Sequence, residues 1–567
     1  MTPGFDPAPP LAQRAGGQLL VDQLEALGTS VLFGVPGESY LPVLDALRDE
    51  RRSIRFVIAR HEGAAAFMAD ASGKLTGRPG VCLVSRGPGA LHAANGVHMA
   101  MQDSTPMVLL VGQVPTTVRD REAFQEIDIR GTFGSIAKWT VEVQDADRIP
   151  EFICRAFATA TAGRPGPVVV GLPEDMLRCS TSAAVIAPFE RGETVPAAAT
   201  LASIRALLAN AERPLILAGG AGWTTRASKS LECFADDNHV AVATIFRYQD
   251  ALDNSMATYA GDLGMGANPA LVSRLFEADL VLAIGPRLGD VTTGNYQRIC
   301  APTPAQKLVH VHQGTEEIGS VYRPTLGLSA PIPAFVEALA SMEHVTSPVW
   351  TDWADKAHQD YLDWRTPEPA LIDDSYVNLA AVMAQLRQLL SDDAIVTNGA
   401  GNYSTWLHRY FSFSQFRTQL APTGGSMGYG LPAALAAKSL EGDRDVVAFA
   451  GDGCFLMTGQ ELATAVQEHL NVIVIVVNNQ MYGTIRLHQE RRYPGRPFAT
   501  DLLTPDFAAL ARSFGAHAET IERTSDFASA FERARSAGTP ALLELRVDPR
   551  QLTPTVRLSD DAPLGLG

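Results

Sequence analysis

The chain of 567 residues lacks the features that mark several classes of protein. No stretch approaches the roughly 20 consecutive apolar residues that a membrane-spanning helix needs. The first residues, MTPGFDPAPPLAQR, have no apolar core of the kind found in a secretion signal. Cysteine is scarce, and no CxxC pair or metal-ligand spacing occurs among Cys82, Cys154, Cys179, Cys233, Cys300 and Cys454. These absences exclude a disulfide framework and predict a cytoplasmic protein with no membrane partner.

Positive charge is also in deficit. There are 46 Lys and Arg residues against 62 Asp and Glu residues, which gives a net charge of −16 at pH 7. Proteins that follow a nucleic-acid backbone need clustered Lys and Arg to displace counterions. We therefore expect small molecules, and no nucleic acid, as the binding partners.

The hydrophobic pattern predicts an α/β protein with three doubly wound parallel-sheet domains in series. Short apolar runs alternate with stretches of helical period, which is typical of βαβ units with helices on both faces of a sheet. The pattern weakens in a connector near 180–200 and again near 345–375. The expected domains are residues 11–180, 196–345 and 370–550, and this number of domains suits the length of the chain.

The strongest local signal is Gly451-Asp452-Gly453-Cys454, which follows the apolar run DVVAFA. A helical stretch and the run NVIVIVV come next, and Asn479 lies 27 residues after Asp452. Both side chains would then project from the carboxyl ends of parallel strands, where ligands collect. Mg²⁺ prefers oxygen ligands, and Asp452, Asn479 and the backbone carbonyl of Met481 supply three. Gly451, Gly453 and the helix beginning near Cys454 would admit a phosphate.

This spacing of GDG and NN resembles the cofactor motif of thiamine-diphosphate-dependent enzymes. The segment TGGSMGYGLPAALAAK at 423–438 resembles the glycine-rich turn of that family. The resemblance implies that Gly425 offers a carbonyl to the aminopyrimidine and that Met427 wedges the cofactor into a bent shape, although a Met is more often core filler. It also implies that Asn402 and Tyr403 stand where a Gln-His pair usually lies over the diphosphate.

The first expected domain, residues 11–180, also carries a candidate activator of the cofactor. Thiamine diphosphate needs a carboxyl group at N1′ of its pyrimidine, and burial adjusts such a group by raising its pKa. The segment VIARHEGAAAFMADASGKLTG resembles the acetolactate synthase segment in which a glutamate opens a helix, which implies this role for Glu62. An acidic residue at a helix start is also a common stabiliser of the helix dipole.

The resemblance to acetolactate synthases covers most of the chain and suggests substrate contacts. It places Phe124 and Gln125 near the thiazolium ring, with Gln125 as a catalytic candidate, and makes Lys138 a candidate for substrate contact. Without the resemblance, Phe124 would be a core residue, and Gln125 and Lys138 would be surface residues. Arg287 begins a segment that departs from the family pattern, and it would bind the carboxylate of the acceptor or form a surface salt bridge. His488 stands where the family has a substrate-selecting Trp, so the acceptor preference stays open.

The expected function is that of a thiamine-diphosphate- and Mg²⁺-dependent carboligase. It would decarboxylate a 2-oxo acid to an enamine and join this to an aldehyde or a second 2-oxo acid. Pyruvate decarboxylases, which are similar, typically carry adjacent histidines in the first domain; this sequence has no His-His pair, and the resemblance therefore favours ligation over simple release. The alternatives are a nonligating decarboxylase or 2-hydroxyacyl lyase on the same scaffold, and a noncatalytic cofactor-binding relative. The resemblance further implies a homodimer or homotetramer with active sites at the subunit interface. It allows FAD in the middle domain, but the lone turn Gly219–Gly222 does not favour it.

Overall fold

The computed structural model describes residues 13–346, 348–367 and 375–562. The predicted domain boundaries at residues 11 and 370 lie outside these ranges. The chain forms three six-stranded sheets, and every strand pair within them is parallel. The predicted fold class is confirmed. In the described part of the chain, every helix is too short or too polar to cross a membrane.

The first sheet has the strand order β3-β2-β4-β5-β7-β6. Buried apolar residues dominate its central strands, as expected for strands covered on both faces. Its strands and two flanking short strands are β1 (Arg14–Ala15), β2 (Val31–Gly34), β3 (Arg55–Ile58), β4 (Gly80–Val84), β5 (Met107–Gln113), β6 (Trp139–Glu142), β7 (Pro167–Pro173) and β8 (Ser180–Thr181). The helices are α1 (Gly16–Ala26), α2 (Leu41–Leu47), α3 (Glu62–Thr76), α4 (Pro88–Asp103), α5 (Ile129–Phe133), α6 (Ile149–Thr161) and α7 (Glu174–Arg178).

The middle sheet has the order β11-β10-β9-β12-β13-β14. Its strands are β9 (Pro214–Ala218), β10 (Val242–Ile245), β11 (Tyr259–Leu263), β12 (Leu280–Ile284), β13 (Lys307–His312) and β14 (Leu326–Ser329). Its helices are α8 (Ala198–Ala209), α9 (Thr225–Asn238), α10 (Pro269–Glu277), α11 (Asp290–Thr293), α12 (Ile332–Ala340) and α13 (Thr351–Arg365).

Helix α13 lies in a segment that the sequence pattern treats as a connector. Its buried residues Ala354, Ala357 and Tyr361 follow helical spacing, but charged residues between them hide the stripe. The Tyr361 ring meets the ring of Tyr259 on β11 edge to face at 4.9 Å. The helix therefore packs on the middle sheet, and the prediction of a patternless connector over this stretch is wrong.

The third sheet has the order β16-β15-β17-β18-β20-β19. Its strands and a terminal hairpin are β15 (Ile395–Asn398), β16 (Gln419–Leu420), β17 (Val446–Gly451), β18 (Ile473–Asn478), β19 (His517–Ile521), β20 (Ala541–Arg546), β21 (Gln551–Thr553) and β22 (Val556–Arg557). The helices are α14 (Leu379–Leu389), α15 (Ser404–Tyr410), α16 (Gly430–Leu440), α17 (Asp452–Phe455), α18 (Leu462–Gln467), α19 (Gly483–Arg492), α20 (Phe507–Ser513) and α21 (Phe527–Ser536).

The first and third sheets share one hydrophobic core, in which α3 packs against α16. Polar groups cross the same contact. The buried Lys74 ammonium lies 3.1 Å from the Asp70 carboxylate and also pairs with Asp103. The hydroxyl of Tyr429, the N-cap residue of α16, donates to Asp70 at 2.6 Å. Because buried charges are tolerated when paired, this network fixes how the first sheet sits on the third.

Candidate active site

A cavity of about 300 Å³ opens at the carboxyl ends of β15, β17 and β18. The chain runs from β15 to β16 on one side and on to β17 on the other, so the cavity lies at the topological switch point, where ligands bind in open α/β sheets. All ten residues predicted to contact the cofactor line it: Asn402, Tyr403, Gly425, Met427, Gly451, Asp452, Gly453, Cys454, Asn479 and Met481.

The geometry around Asp452 brings the two candidate metal ligands to one edge of the sheet. Gly451 pairs with Val477 in the β17–β18 ladder, so Asp452 and Asn479 follow neighbouring strand ends. The Asp452 carboxylate accepts the backbone N–H of Gly453 through Oδ1 and that of Gln480 through Oδ2, both at 2.7 Å.

Burial raises the pKa of Asp452 to about 6, although backbone hydrogen bonds oppose this. A nearby cation stabilises the ionised form of a carboxylate that is poorly solvated. The Asn479 side-chain oxygen and the Met481 carbonyl complete a set of hard oxygen donors. The residues present therefore fit Mg²⁺, which takes oxygen ligands and phosphate together.

Aromatic rings leave no room for side chains at Gly451 and Gly453. A Cβ on Gly451 would lie 2.7 Å from Cδ1 of Tyr403, and a Cβ on Gly453 would lie 2.7 Å from Cε1 of Tyr482. Any side chain there would displace a ring. Gly425 has φ +74°, a conformation that favours glycine.

Tyr403 and Cys454 tie the loops of the site together from beneath. The Tyr403 hydroxyl lies 3.2 Å from the Cys454 sulfur and accepts the N–H of Gly399 at 3.0 Å. The N–H of Gly428 donates to the same sulfur at 3.3 Å. Burial raises the pKa of both side chains, so they stay neutral. Their polar atoms bind protein groups, and their role is to shape the floor.

Asn402 joins the loop after β15 to α19. Its Oδ1 accepts the hydroxyl of Thr484 at 3.0 Å, and its Nδ2 donates to the Gly483 carbonyl at 3.2 Å. The residue lines the cavity as predicted. Its amide is engaged by the protein, so a ligand would meet it as part of a wall.

Sequence reasoning missed an aromatic wall of the cavity, formed by Tyr376, Trp406, Tyr410 and Tyr482. Tyr403, Trp406 and Tyr410 follow one another at helical spacing at the start of and along α15, which places them on one face. That spacing is visible in the sequence as the signal that could have revealed them.

Glu62 opens α3, as the sequence predicts. His61 caps this helix by accepting the N–H of Gly63 on Nδ1 at 3.0 Å. The Glu62 carboxylate is largely buried, and its Oε2 lies 2.8 Å from Nδ1 of His92 on α4. The third sheet's domain steadies the segment, because Glu461 accepts the N–H of Arg60 at 3.1 Å.

Glu62 is not part of the cavity wall of its own chain. All lining residues fall between 367 and 554, and none of the predicted activator or substrate residues is among them. The residues outside it are Glu62, Phe124, Gln125, Lys138, Arg287 and His488.

Phe124 and Gln125 lie on a loop beside the start of α4. The Phe124 side chain is 74% exposed. Gln125 has φ +62°, and its carbonyl would lie 2.7 Å from a Cβ on Gly87. His488 is exposed on α19. Lys138 lies elsewhere: its ammonium donates to the carbonyls of Thr159 and Ala162 at the end of α6, and burial lowers its pKa to about 8.

Arg287 lines a second cavity of about 130 Å³ at the switch point of the middle sheet. Its guanidinium donates to the Gln102 carbonyl at 3.3 Å and lies 3.4 Å from Glu317. Gly220 borders this cavity, and a Cβ there would lie 2.2 Å from the Gly285 carbonyl oxygen. The volume is below the range usual for small-molecule pockets.

Comparisons with known proteins agree with this geometry. Residues 14–131 match the N-terminal TPP binding domain of thiamine pyrophosphate enzymes, residues 201–339 match their central domain and residues 399–545 match their C-terminal TPP binding domain.

The chain also resembles curated proteins over nearly its whole length. It is 31% identical to the probable acetolactate synthase large subunit of Methanocaldococcus jannaschii over 561 residues, which cover 95% of this chain and 93% of that protein. It is 30% identical to the acetolactate synthase isozyme 2 large subunit of Escherichia coli, covering 94% and 95% of the two chains. Identity to the acetolactate synthase large subunit of Corynebacterium glutamicum is 32%, covering 92% and 84%.

Proposed function

The chain belongs to the thiamine pyrophosphate enzymes of the acetolactate synthase type, and on this premise we propose that it is a thiamine-diphosphate-dependent carboligase of 2-oxo acids. The observation that carries the proposal is the convergence of all ten predicted cofactor residues on one cavity at a switch point. A noncatalytic cofactor-binding relative would need Asp452 and Asn479, but it would have no need of Glu62 at the start of α3.

Asp452, Asn479 and the Met481 carbonyl would hold Mg²⁺ and, through it, the diphosphate. The buried Asp452 carboxylate supplies the negative charge, and the two other groups supply neutral oxygens. Gly451 and Gly453 keep the floor free of side chains. Gly425 and Met427 border the same cavity from the neighbouring loop, where they would shape the bound cofactor.

Thiamine diphosphate, when bound, supplies a carbanion at C2 that attacks the ketone of a 2-oxo acid and retains the electrons released with carbon dioxide. Glu62 would hold a proton at N1′ of the pyrimidine. Its position at the start of α3, with a largely buried carboxylate, suits a group that shares a proton. The aromatic wall of the cavity would exclude water from the reacting centre.

Two copies of the chain are needed to bring these parts together. The cavity wall contains no residue of the first sheet's domain. We infer a homodimer or homotetramer in which Glu62 of one copy faces the cavity of another. Phe124 and Gln125, which share the loop edge near α4 with Glu62, would then approach the substrate from the same side.

Arg287 and His488 are the candidates for acceptor selection. Arg287 has a weak ion pair with Glu317 at 3.4 Å and lines a cavity, so its guanidinium can donate hydrogen bonds to the carboxylate of a substrate. His488 is exposed on α19, the helix that follows Asn479. Lys138 is engaged by two carbonyls in this chain, so a substrate contact would require it to leave them. FAD has no part in the proposal, and a cytoplasmic location agrees with the scarce cysteines.

The test separates ligation from simple decarboxylation. The purified protein with thiamine diphosphate and Mg²⁺ is given pyruvate alone, pyruvate with an aldehyde, and pyruvate with a second 2-oxo acid. Carbon dioxide and ligation products are both measured. We expect carbon dioxide release matched by a 2-hydroxyketone or 2-hydroxy acid product. Free aldehyde as the main product would favour the decarboxylase alternative, and no cofactor-dependent carbon dioxide with any 2-oxo acid would contradict the proposal.

A further inference from the structure

Two histidines from separate segments meet beside Glu62. His61 caps α3, and His92 lies near the start of α4. Their rings stack with centroids 4.5 Å apart and planes at 26°. His92 Nδ1 is 2.8 Å from Glu62 Oε2, and the His92 side chain is 51% exposed while that of Glu62 is 17% exposed. The sequence has no adjacent histidine pair, but the fold assembles one in space.

Small residues bring His92 onto Glu62. One helical turn after each of them lie Gly96 on α4 and Ala66 on α3. A Cβ on Gly96 would lie 2.3 Å from the Cβ of Ala66, so the two helices are in backbone contact there. This close approach sets the distance between the carboxylate and the imidazole one turn earlier.

The two oxygens of Glu62 have different surroundings. Oε2 is bound to His92. Oε1 faces Gly89, where an added Cβ would crowd it at 3.3 Å. The absence of a side chain on Gly89 leaves Oε1 open to another molecule. Oε1 is therefore the atom that can reach N1′ of a pyrimidine, while Oε2 stays in contact with His92.

The other groups around Glu62 are poor proton sources. His61 uses Nδ1 to accept the Gly63 N–H, and burial lowers its pKa. Burial raises the pKa of the Cys82 thiol and of the Tyr40 hydroxyl, both of which sense the charge of Glu62. Glu461, the residue before α18, accepts the backbone N–H of Arg60 on its carboxylate. His92 touches the carboxylate, and its side chain is half exposed in the single chain.

We propose that His92 positions Glu62 and relays protons to and from its carboxylate, a role that rests on the proposed function. Glu62 would give the proton on Oε1 to N1′ while protonated His92 passes the proton on Nδ1 to Oε2, so the carboxyl group stays neutral. When N1′ returns its proton to Oε1, the proton on Oε2 would go back to Nδ1. No proton is gained or lost over the cycle, and His92 and Glu62 end in their starting states.

The test measures two quantities on apoprotein reconstituted with thiamine diphosphate and Mg²⁺. The first is the affinity for thiamine diphosphate, and the second is the rate at which its C2 proton exchanges for deuterium, read by quenched-flow NMR across pH. His92→Gln should slow exchange about tenfold or more, change its pH profile and leave the affinity within about threefold. His98→Gln, on the same helix, should match the unaltered protein. Added imidazole should restore exchange in His92→Gly.

Exchange in His92→Gln within about twofold of the unaltered protein would overturn the relay. So would a loss of exchange that follows entirely from a loss of cofactor affinity, because His92 would then be a binding residue. Imidazole rescue in His92→Gly requires a folded protein, so its failure alongside normal cofactor affinity also counts against the relay. If the unaltered protein neither binds the cofactor nor exchanges C2, the proposed function itself fails.

Discussion

Replacing Asp452 with Asn should separate cofactor binding from stability. The Asp452 carboxylate accepts two backbone N–H groups at 2.7 Å and is almost fully buried. An amide of the same size can accept one of them but turns its NH₂ toward the other. Hydrogen bonds to a charged group contribute about 1.5–3 kcal/mol each, so the apoprotein loses about that amount.

The same substitution removes a buried charge. Burial raises the pKa of Asp452 to about 6 from its ordinary 3.8, which means that ionisation at neutral pH costs the folded state about 3 kcal/mol. Asn does not bear that cost. The two effects are of similar size and opposite sign, and the thermal stability of apo Asp452→Asn should stay close to that of the unaltered protein.

Binding of the metal and the diphosphate should weaken in Asp452→Asn, because the negatively charged ligand is gone. Loss of about 3 kcal/mol or more corresponds to a weakening of about 100-fold in Kd. The assay is calorimetric titration of apoprotein with thiamine diphosphate at several fixed Mg²⁺ concentrations. We expect the variant to bind weakly and with little dependence on Mg²⁺.

Asp548→Asn is the matched control. Asp548 lines the same cavity, but it is held by Arg557 at 3.2 Å and by the N–H of Arg550 at 2.9 Å. Its substitution should keep the Mg²⁺ dependence. If Asp452→Asn bound the cofactor with unaltered affinity and Mg²⁺ dependence, or if the control lost both equally, the assignment of Asp452 as metal ligand would be refuted.

Three further predictions follow from individual contacts. Gly451→Ala should push the Tyr403 ring and weaken cofactor binding about tenfold or more, whereas Gly442→Ala, with open space around its Cβ, should bind normally in the same titration. Burial raises the pKa of Glu461 to about 6 from 4.5, so the stability that its protonated form contributes is present below pH 4.5 and is lost as pH rises through 6. In Glu461→Gln the fall in apparent Tm between pH 4.5 and 7.5 should therefore shrink by the equivalent of about 2 kcal/mol, and an unchanged fall would contradict this. Arg287→Gln should raise KM for a 2-oxo acid acceptor about tenfold while KM for an aldehyde acceptor stays constant, and equal effects on both would remove Arg287 from acceptor binding.

The grouping of Asp452 and Asn479 at one cavity could be predicted from the sequence because the geometry that brings them together is local. Asp452 and Asn479 belong to one strand-helix-strand unit, and parallel pairing leaves little freedom in how the two strand ends meet. The resemblance to acetolactate synthases placed Glu62 at a helix start, and α3 does begin at this residue.

Features that depend on contacts between distant segments escaped prediction. Helix α13 was missed because tertiary packing of Ala354, Ala357 and Tyr361 outweighs its polar composition. The pairing of His92 with Glu62 depends on the approach of two helices, and nothing in either segment alone specifies it. Arg247 likewise reaches from the middle domain to the Gly399 carbonyl at 2.9 Å, next to the Tyr403 hydroxyl contact, and only the packed structure reveals it.

The central claim is that the cavity around Asp452 in one copy of the chain and the Glu62 carboxylate of a second copy enclose the same cofactor. The most direct measurement is a crystal structure of the protein grown with thiamine diphosphate and Mg²⁺. We predict a metal bound by Asp452, Asn479 and the Met481 carbonyl, with Glu62 of the other copy within hydrogen-bond distance of N1′. A diphosphate bound elsewhere, or a pyrimidine with no Glu62 beside it, would contradict the account.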